Sequence, residues 1–248
     1  MNHRITFLSV FSLALVAVAT SACASGPAAT PTPSPAPKAN QVQIAASQDV
    51  TLYEDAAGEI ANSVGPTNFV GMTTQFKRRR TLLAFDVTSL PSNREIIDVR
   101  LEMRMSKTAS GAFNTTLHRV TTPWSEGIST SSGMGGKGAP AQIGDPTWIH
   151  SSYPDTFWSN EGGDFTEEES ATTSVDNQVR YSWSDPRLVE DVSKWITGAS
   201  PNFGWLIIGD ERFQKTAKRF DSREHASADR RPTLVIEFAP TVTGAGSG

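Results

Sequence analysis

Cysteine is almost absent from this chain, with one residue, Cys23, in 248. A disulfide-stapled fold and a thiolate metal site are therefore both excluded. Histidine is nearly as scarce, and His118, His150 and His225 stand isolated, so zinc has no ligand set. No apolar run approaches the roughly 20 residues that a membrane-spanning helix needs. The longest, Ile5 to Ala19, is interrupted by Thr6, Ser9 and Ser12. An excess of positive charge is also missing, which argues against nucleic acid as a partner. Without the leading Arg4 the chain carries 21 basic and 26 acidic side chains. There is no internal repeat, G-x-S-x-G elbow, phosphate-binding loop, dinucleotide fingerprint or Cys/His nucleophile pair.

What is present begins with a secretory layout: Arg4, the apolar run, then small residues. Two cleavage sites compete. Thr20-Ser21-Ala22-Cys23 resembles a bacterial lipobox, which would make Cys23 the lipidated first residue of the mature chain, whereas Ala22-Cys23-Ala24 fits an ordinary A-x-A site. The lipid reading is preferred because a fold with no second thiol offers Cys23 no disulfide partner. The membrane is then the expected partner, reached through a lipid anchor, and the expected location is extracytoplasmic. Secretion or a periplasmic location is the alternative.

Residues 23–40 form the expected linker, with five prolines between Ala24 and Asn40 among small and hydroxylated residues. Such a segment cannot bury enough apolar surface to fold, and in polyproline II geometry it spans about 50 Å. The organisation expected is a signal peptide over 1–22, the anchored linker over 23–40, one domain over 41–240 and a Gly/Ser/Thr-rich tail over 241–248.

Within the domain the apolar pattern has period two, as in "DVTLYE", "TLLAFDV", "VRLEMRMS" and "PTLVIEF". In "VRLEMRMS" Val99, Leu101, Met103 and Met105 take one face, and Arg100, Glu102 and Arg104 the other, as in a half-buried antiparallel strand. "FGWLIIG" lacks alternation and reads as a strand covered on both faces. One segment, "SDPRLVEDVSKWITG", has helical spacing instead, with Asp185 as N-cap, Pro186 in the first turn and Gly198 past the end. The expected fold is all-β: a jelly-roll-like antiparallel sandwich with one short docked helix and a long irregular insertion, Trp124 to Val179.

The ordered series "TLYEDAAGEIANSVGPTNFVGMT", "RRTLLAFDVTSLPSNREIIDVRLEMRM", "LHRVTTPWSEG", "GGKGAPAQIGDPTWIH", "EGGDF", "FGWLIIGDE", "AKRFDSREH" and "RRPTLVIEF" resembles the DNRLRE domain family of secreted and surface-bound prokaryotic proteins. The resemblance covers Asp49 to Phe238. It implies a jelly-roll-like sandwich with no established catalytic apparatus. Some similar domains are carbohydrate-binding modules on enzymes that degrade acidic polysaccharides such as alginate, and many others belong to surface proteins.

The residues supply their own candidates. Trp124, Trp148, Tyr153 and Trp158 in the insertion offer flat faces for sugar stacking, or else pin the insertion to the sandwich as a satellite core. In "KRRR", Lys77 and Arg78 are the freer cations for an acidic polymer, while Arg79 or Arg80 pairs internally. Arg223 and Glu224 are expected as a structural ion pair, since strand neighbours point to opposite faces and make a poor acid/base couple. The candidate cofactor is a structural calcium ion, at Asp164, Asp145 or Glu167 to Glu169, although no EF-hand spacing is present. If the chain is a glycosidase, Glu126 and Asp164 are the carboxylates to test. The function expected is non-catalytic carbohydrate binding, with a structural or adhesion domain for a protein partner as the alternative.

Overall fold

The computed structural model describes residues 40–240; the signal segment, Cys23, the linker up to Ala39 and the tail lie outside the described residues. The strands run β1 (Gln41–Ala45), β2 (Gln48–Tyr53), β3 (Ile60–Ala61), β4 (Thr67–Met72), β5 (Arg78–Ala84), β6 (Ile96–Thr108) and β7 (Phe113–Val120). After these come β8 (Ala139–Pro140), β9 (His150–Ser152), β10 (Thr156–Phe157), β11 (Phe165–Val175) and β12 (Arg180–Ser184). The helix α1 (Pro186–Ile196) precedes β13 (Trp205–Ile208), β14 (Lys218–Asp221) and β15 (Thr233–Phe238).

Eleven strands form one antiparallel sheet that curls upon itself, in the order β1-β15-β6-β14-β4-β5-β13-β7-β11, with β12 added to β6 and β2 to β5. Strand β4 carries the sheet from one layer to the other. Its Val70 lies opposite Lys218 of β14, and the next residue, Gly71, lies opposite Arg79 of β5. The corner needs glycine: Gly71 has φ +94°, and a Cβ there would stand 3.0 Å from the Thr216 carbonyl oxygen.

The long strand β6 alternates as its sequence predicts, with Val99, Leu101, Met103 and Met105 fully buried and Arg100, Glu102 and Arg104 half-buried on the other face. Leu234, Ile236 and Phe238 of β15 join them in a core shared with Leu83, Leu117, Trp205 and Ile207 of the opposite layer. Trp183 of β12 bridges the layers, its indole N–H donating to the Thr115 carbonyl oxygen at 2.8 Å. Helix α1 closes the core as expected. Asp185 caps it by accepting from Arg187 N, Gly198 ends it at φ +72°, and Trp195 packs on Trp205 with ring centroids 4.5 Å apart.

The alternate face of β2, β5 and β13 is also buried. Val50, Leu52, Leu82 and Leu206 form a second cluster with Val120, Trp148 and Trp158. This explains the unbroken apolar run in "WLII": Trp205 and Ile207 face the main core, while Leu206 and Ile208 face the second. The expected irregular insertion is shorter than its sequence predicts, because Phe165–Val175 is the edge strand β11, paired with β7. Register shifts between Phe165 and Glu169 and between Glu169 and Ala171 break its period-two pattern, and exposed Glu167 to Glu169 make it read as a loop. Those acids project from a sheet edge instead of converging on a cation. Among the described residues no helix is long and apolar enough to cross a membrane.

Candidate functional site

The insertion's tryptophans are structural. Trp148 is 1% exposed and Trp158 6%, both within the second cluster, which leaves neither a face for a sugar ring. The guanidinium groups of Arg78 and Arg80 lie 4.8 and 5.0 Å from the Trp148 ring centroid. Trp158 donates to the Thr147 carbonyl oxygen at 2.9 Å, and half-buried Trp124 donates to that of Phe203 at 2.8 Å while packing on the same cluster. Tyr153 is half-buried, edge-on to His150 at 5.1 Å. The stacking expectation therefore fails for Trp148 and Trp158, since large rings facing a sheet with apolar residues on both faces are drawn into its packing.

The four cations of "KRRR" part company along β5. Arg80 is buried and holds both oxygens of Glu211, at 2.8 and 2.9 Å. Arg79 lies over the Tyr53 ring, 4.6 Å from its centroid. Arg78, expected to be free, is paired: its backbone and side chain both donate to Glu54, at 2.5 and 2.9 Å, and this contact raises its pKa. Lys77 alone is exposed and lies in no ion pair among the described residues.

The expected calcium ligands Asp164 and Asp145 are each saturated by donors. Asp164 accepts from Thr122 Oγ1 and from the Ser159 and Asn160 N–H groups at 2.8–2.9 Å. Burial pushes its carboxyl up, but these donors outweigh burial and hold it below the usual carboxylate range. Asp145 accepts from Ser63 Oγ and from the backbone of Ile128, Ser129 and Gln142 at 2.7–3.1 Å. Carboxylates whose lone pairs are filled by N–H and O–H groups hold loops, not cations. The proposed pair Glu126 and Asp164 is likewise divided: Glu126 is bound to Asp49 and Arg223, and the two acids share no hydrogen-bond partner. An acid held below its usual range also makes a poor proton donor.

Arg223 does approach Glu224, at 2.9 Å, but its hydrogen bonds go elsewhere. Its Nε and Nη2 grip Glu126 in a fork, at 2.6 and 2.5 Å. Glu126 also accepts from Asp49 N at 2.8 Å, and Arg223 N donates to Asp49 Oδ2 at 2.7 Å. Asp49, Glu126 and Glu224 thus offer carboxylate oxygens within 4.8 Å of one another. Burial, and then the charge of Glu224, pushes Asp49 up to about 8, and burial likewise raises Glu224. Strand alternation positions Asp49: Val50 and Leu52 face the second cluster, so Asp49, Thr51 and Tyr53 turn to the other side, where Thr51 donates to Asn68 at 3.1 Å. The expected ion pair of Arg223 with Glu224 is present at 2.9 Å, but sequence reasoning missed Asp49 and the second partner of Arg223, Glu126, because both contacts join positions far apart in the chain.

A different surface forms where the β4–β5 turn meets the loop before β14. Lys215 N donates to the Thr73 carbonyl oxygen at 3.3 Å, and Met72 N to Thr216 Oγ1 at 2.9 Å. Phe76 is 64% exposed and Phe213 60%. Beside them stand exposed Lys77 and Lys215, and Arg212 lies over the Phe213 ring while pairing with Asp210. Phe76 (φ +57°) and Lys215 (φ +66°) are the only non-glycine residues at positive φ among those described. Such backbone strain costs on the order of 1–3 kcal/mol per residue and clusters at functional sites. The sequence signal was a phenylalanine stranded among polar and basic residues, in "QFK" and "RFQK", outside any strand pattern. No protein-family model and no curated protein matches this chain.

Proposed function

We propose that this chain is a non-catalytic, extracytoplasmic carbohydrate-binding protein of the DNRLRE type, lipid-anchored through Cys23, whose tip formed by Thr73–Lys77 and Arg212–Lys215 binds an acidic polysaccharide. One observation carries the reading: two strained, mutually hydrogen-bonded loops each present an exposed phenylalanine beside an exposed lysine. Phenyl faces stack on the C–H faces of sugar rings, while ammonium and guanidinium groups meet uronate or sulfate. The resemblance seen in the sequence supports the same class of ligand.

The full chain should bind a polyuronate saturably, more weakly at high salt, and a neutral glucan much less. Replacing Phe76 and Phe213 together by Ala should weaken polyuronate binding about fivefold or more, taking each stacked ring at the roughly 0.5–1.5 kcal/mol of an aromatic pair. Lys77→Gln with Lys215→Gln should flatten the salt dependence. Polysaccharide pull-down and calorimetry measure both. An absence of binding to every acidic and neutral polymer would shift the reading to an adhesion domain for a protein partner.

The anchor has its own test. Cells fed a clickable fatty acid should label the wild-type chain and leave Cys23→Ala unlabelled; label on the variant, or none on the wild type, refutes lipidation at Cys23.

A further inference from the structure

We propose that the carboxylates of Asp49, Glu126 and Glu224 form a calcium site at the opposite end of β2 from the polysaccharide-binding tip. Four residues of strand, about 13 Å, separate Asp49 from Tyr53, which lies opposite Arg79 beside the tip. The two sites are thus independent, and this inference does not rest on the carbohydrate reading.

Charge is the first reason. Three carboxylates face a single guanidinium, Arg223, so the ionised cluster carries an excess of two negative charges. One divalent cation would cancel that excess. Unmet bonding capacity is the second. Asp49 is 1% exposed, yet its Oδ1 has no hydrogen-bond donor, and the same holds for both carboxylate oxygens of Glu224. A buried carboxylate oxygen without a donor is costly, and the cost falls when a cation supplies the missing positive charge.

The lone pairs still available are arranged to suit this. Of about four acceptor positions on a carboxylate, Glu126 has given three, to Asp49 N and to Nε and Nη2 of Arg223, which leaves one on Oε2. Asp49 has committed Oδ2 to Arg223 N and kept Oδ1. Glu224 has kept both oxygens, because the Arg223 Nε–H that comes within 2.9 Å of it is directed at Glu126. The donor set is all carboxylate oxygen drawn from three separate segments, which suits the flexible coordination of calcium better than the stricter octahedral demand of magnesium. Arg223 would keep its fork on Glu126 and fix that carboxylate's orientation, as an outer-shell partner does for a metal ligand.

The site differs from the saturated knots at Asp145 and Asp164, where every carboxylate oxygen already meets donors. It also draws on three distant parts of the chain: β2, the loop after β7 and the segment after β14. A bound ion would therefore tie the insertion to both layers and raise the stability of the whole domain by mass action.

Calorimetric titration of the chelator-stripped full chain with calcium chloride, paired with thermal unfolding, tests the site. Wild type should bind one calcium ion saturably and melt at a higher temperature with calcium than with chelator. Asp49→Asn and Glu224→Gln should each weaken calcium binding by about tenfold or more, since affinity follows the count of charged ligands. Lys77→Gln, at the tip, should leave it unchanged. Asp49→Asn keeps the side-chain shape; should it nevertheless fail to fold, Glu224→Gln, whose side chain is 19% exposed as a whole, decides the matter. No saturable calcium binding by wild type, or unchanged affinity in a folded Glu224→Gln, overturns the proposal and leaves a proton as the species that relieves the cluster.

Discussion

Trp148→Ala should unfold at markedly lower denaturant than wild type, losing about 3–5 kcal/mol of stability, as expected for removal of a buried Trp. The ring is 1% exposed and fills the second cluster against Val50, Leu52, Leu82 and Leu206. Around it the contacts interlock. Gly162 N donates to the Trp148 carbonyl oxygen at 2.6 Å, and a Cβ on Gly162 would collide with the indole at 2.8 Å. The Trp148 indole N–H has no hydrogen-bond partner, so the side chain serves as apolar bulk. Phe76→Ala should behave in the opposite way, shifting stability by less than about 0.5 kcal/mol as surface substitutions do, and acting on ligand binding instead. Chemical denaturation beside a binding assay separates the two. If Trp148→Ala abolished binding at unchanged stability, the assignment of Trp148 to the core would fail.

That contrast marks how far the sequence could be read. Alternation in "VRLEMRMS" and "PTLVIEF", the doubly apolar "WLII" and the capped helix at Asp185 report local physics, and each has the structure expected of it. Strand β11 escaped because its irregular register and row of exposed glutamates erase the period that identifies a strand. The site residues were harder for a different reason. Whether a tryptophan is a platform or a core residue, or an arginine free or paired, depends on what packs over it, and that partner lies elsewhere in the chain. Glu211, the partner of Arg80, is 131 residues away; Glu126, the partner of Arg223, is 97 away. Phe76 and Phe213 were visible in sequence only as apolar residues out of place, and their meaning came from the two loops meeting.

Arg80→Met should cost about 3–5 kcal/mol, the loss typical of removing one partner from a buried ion pair. The side chains of Arg80 and Glu211 are 10% and 16% exposed, and the guanidinium also donates to the Gly162 carbonyl oxygen at 3.0 Å. Without it Glu211 keeps a poorly solvated charge and Gly162 loses its donor. Arg80→Lys should not rescue the protein, because one ammonium cannot reproduce the planar fork to both Glu211 oxygens together with the third bond. Arg78→Ala should cost less than about 1 kcal/mol, since its pairing with Glu54 is partly solvated, at 34% and 21% side-chain exposure. Yet the period of two along β5 sends Arg78 and Arg80 to the same face, where both lie over Trp148. Unequal losses from two arginines on one face would show that the buried fork to Glu211, more than cation–π contact with Trp148, carries the stabilisation. A double-mutant cycle with Glu211→Gln, read from denaturation midpoints, should give a coupling of at least about 1 kcal/mol for Arg80. Coupling below about 0.5 kcal/mol, within the error of additivity, would instead assign the stabilisation to the stack on Trp148.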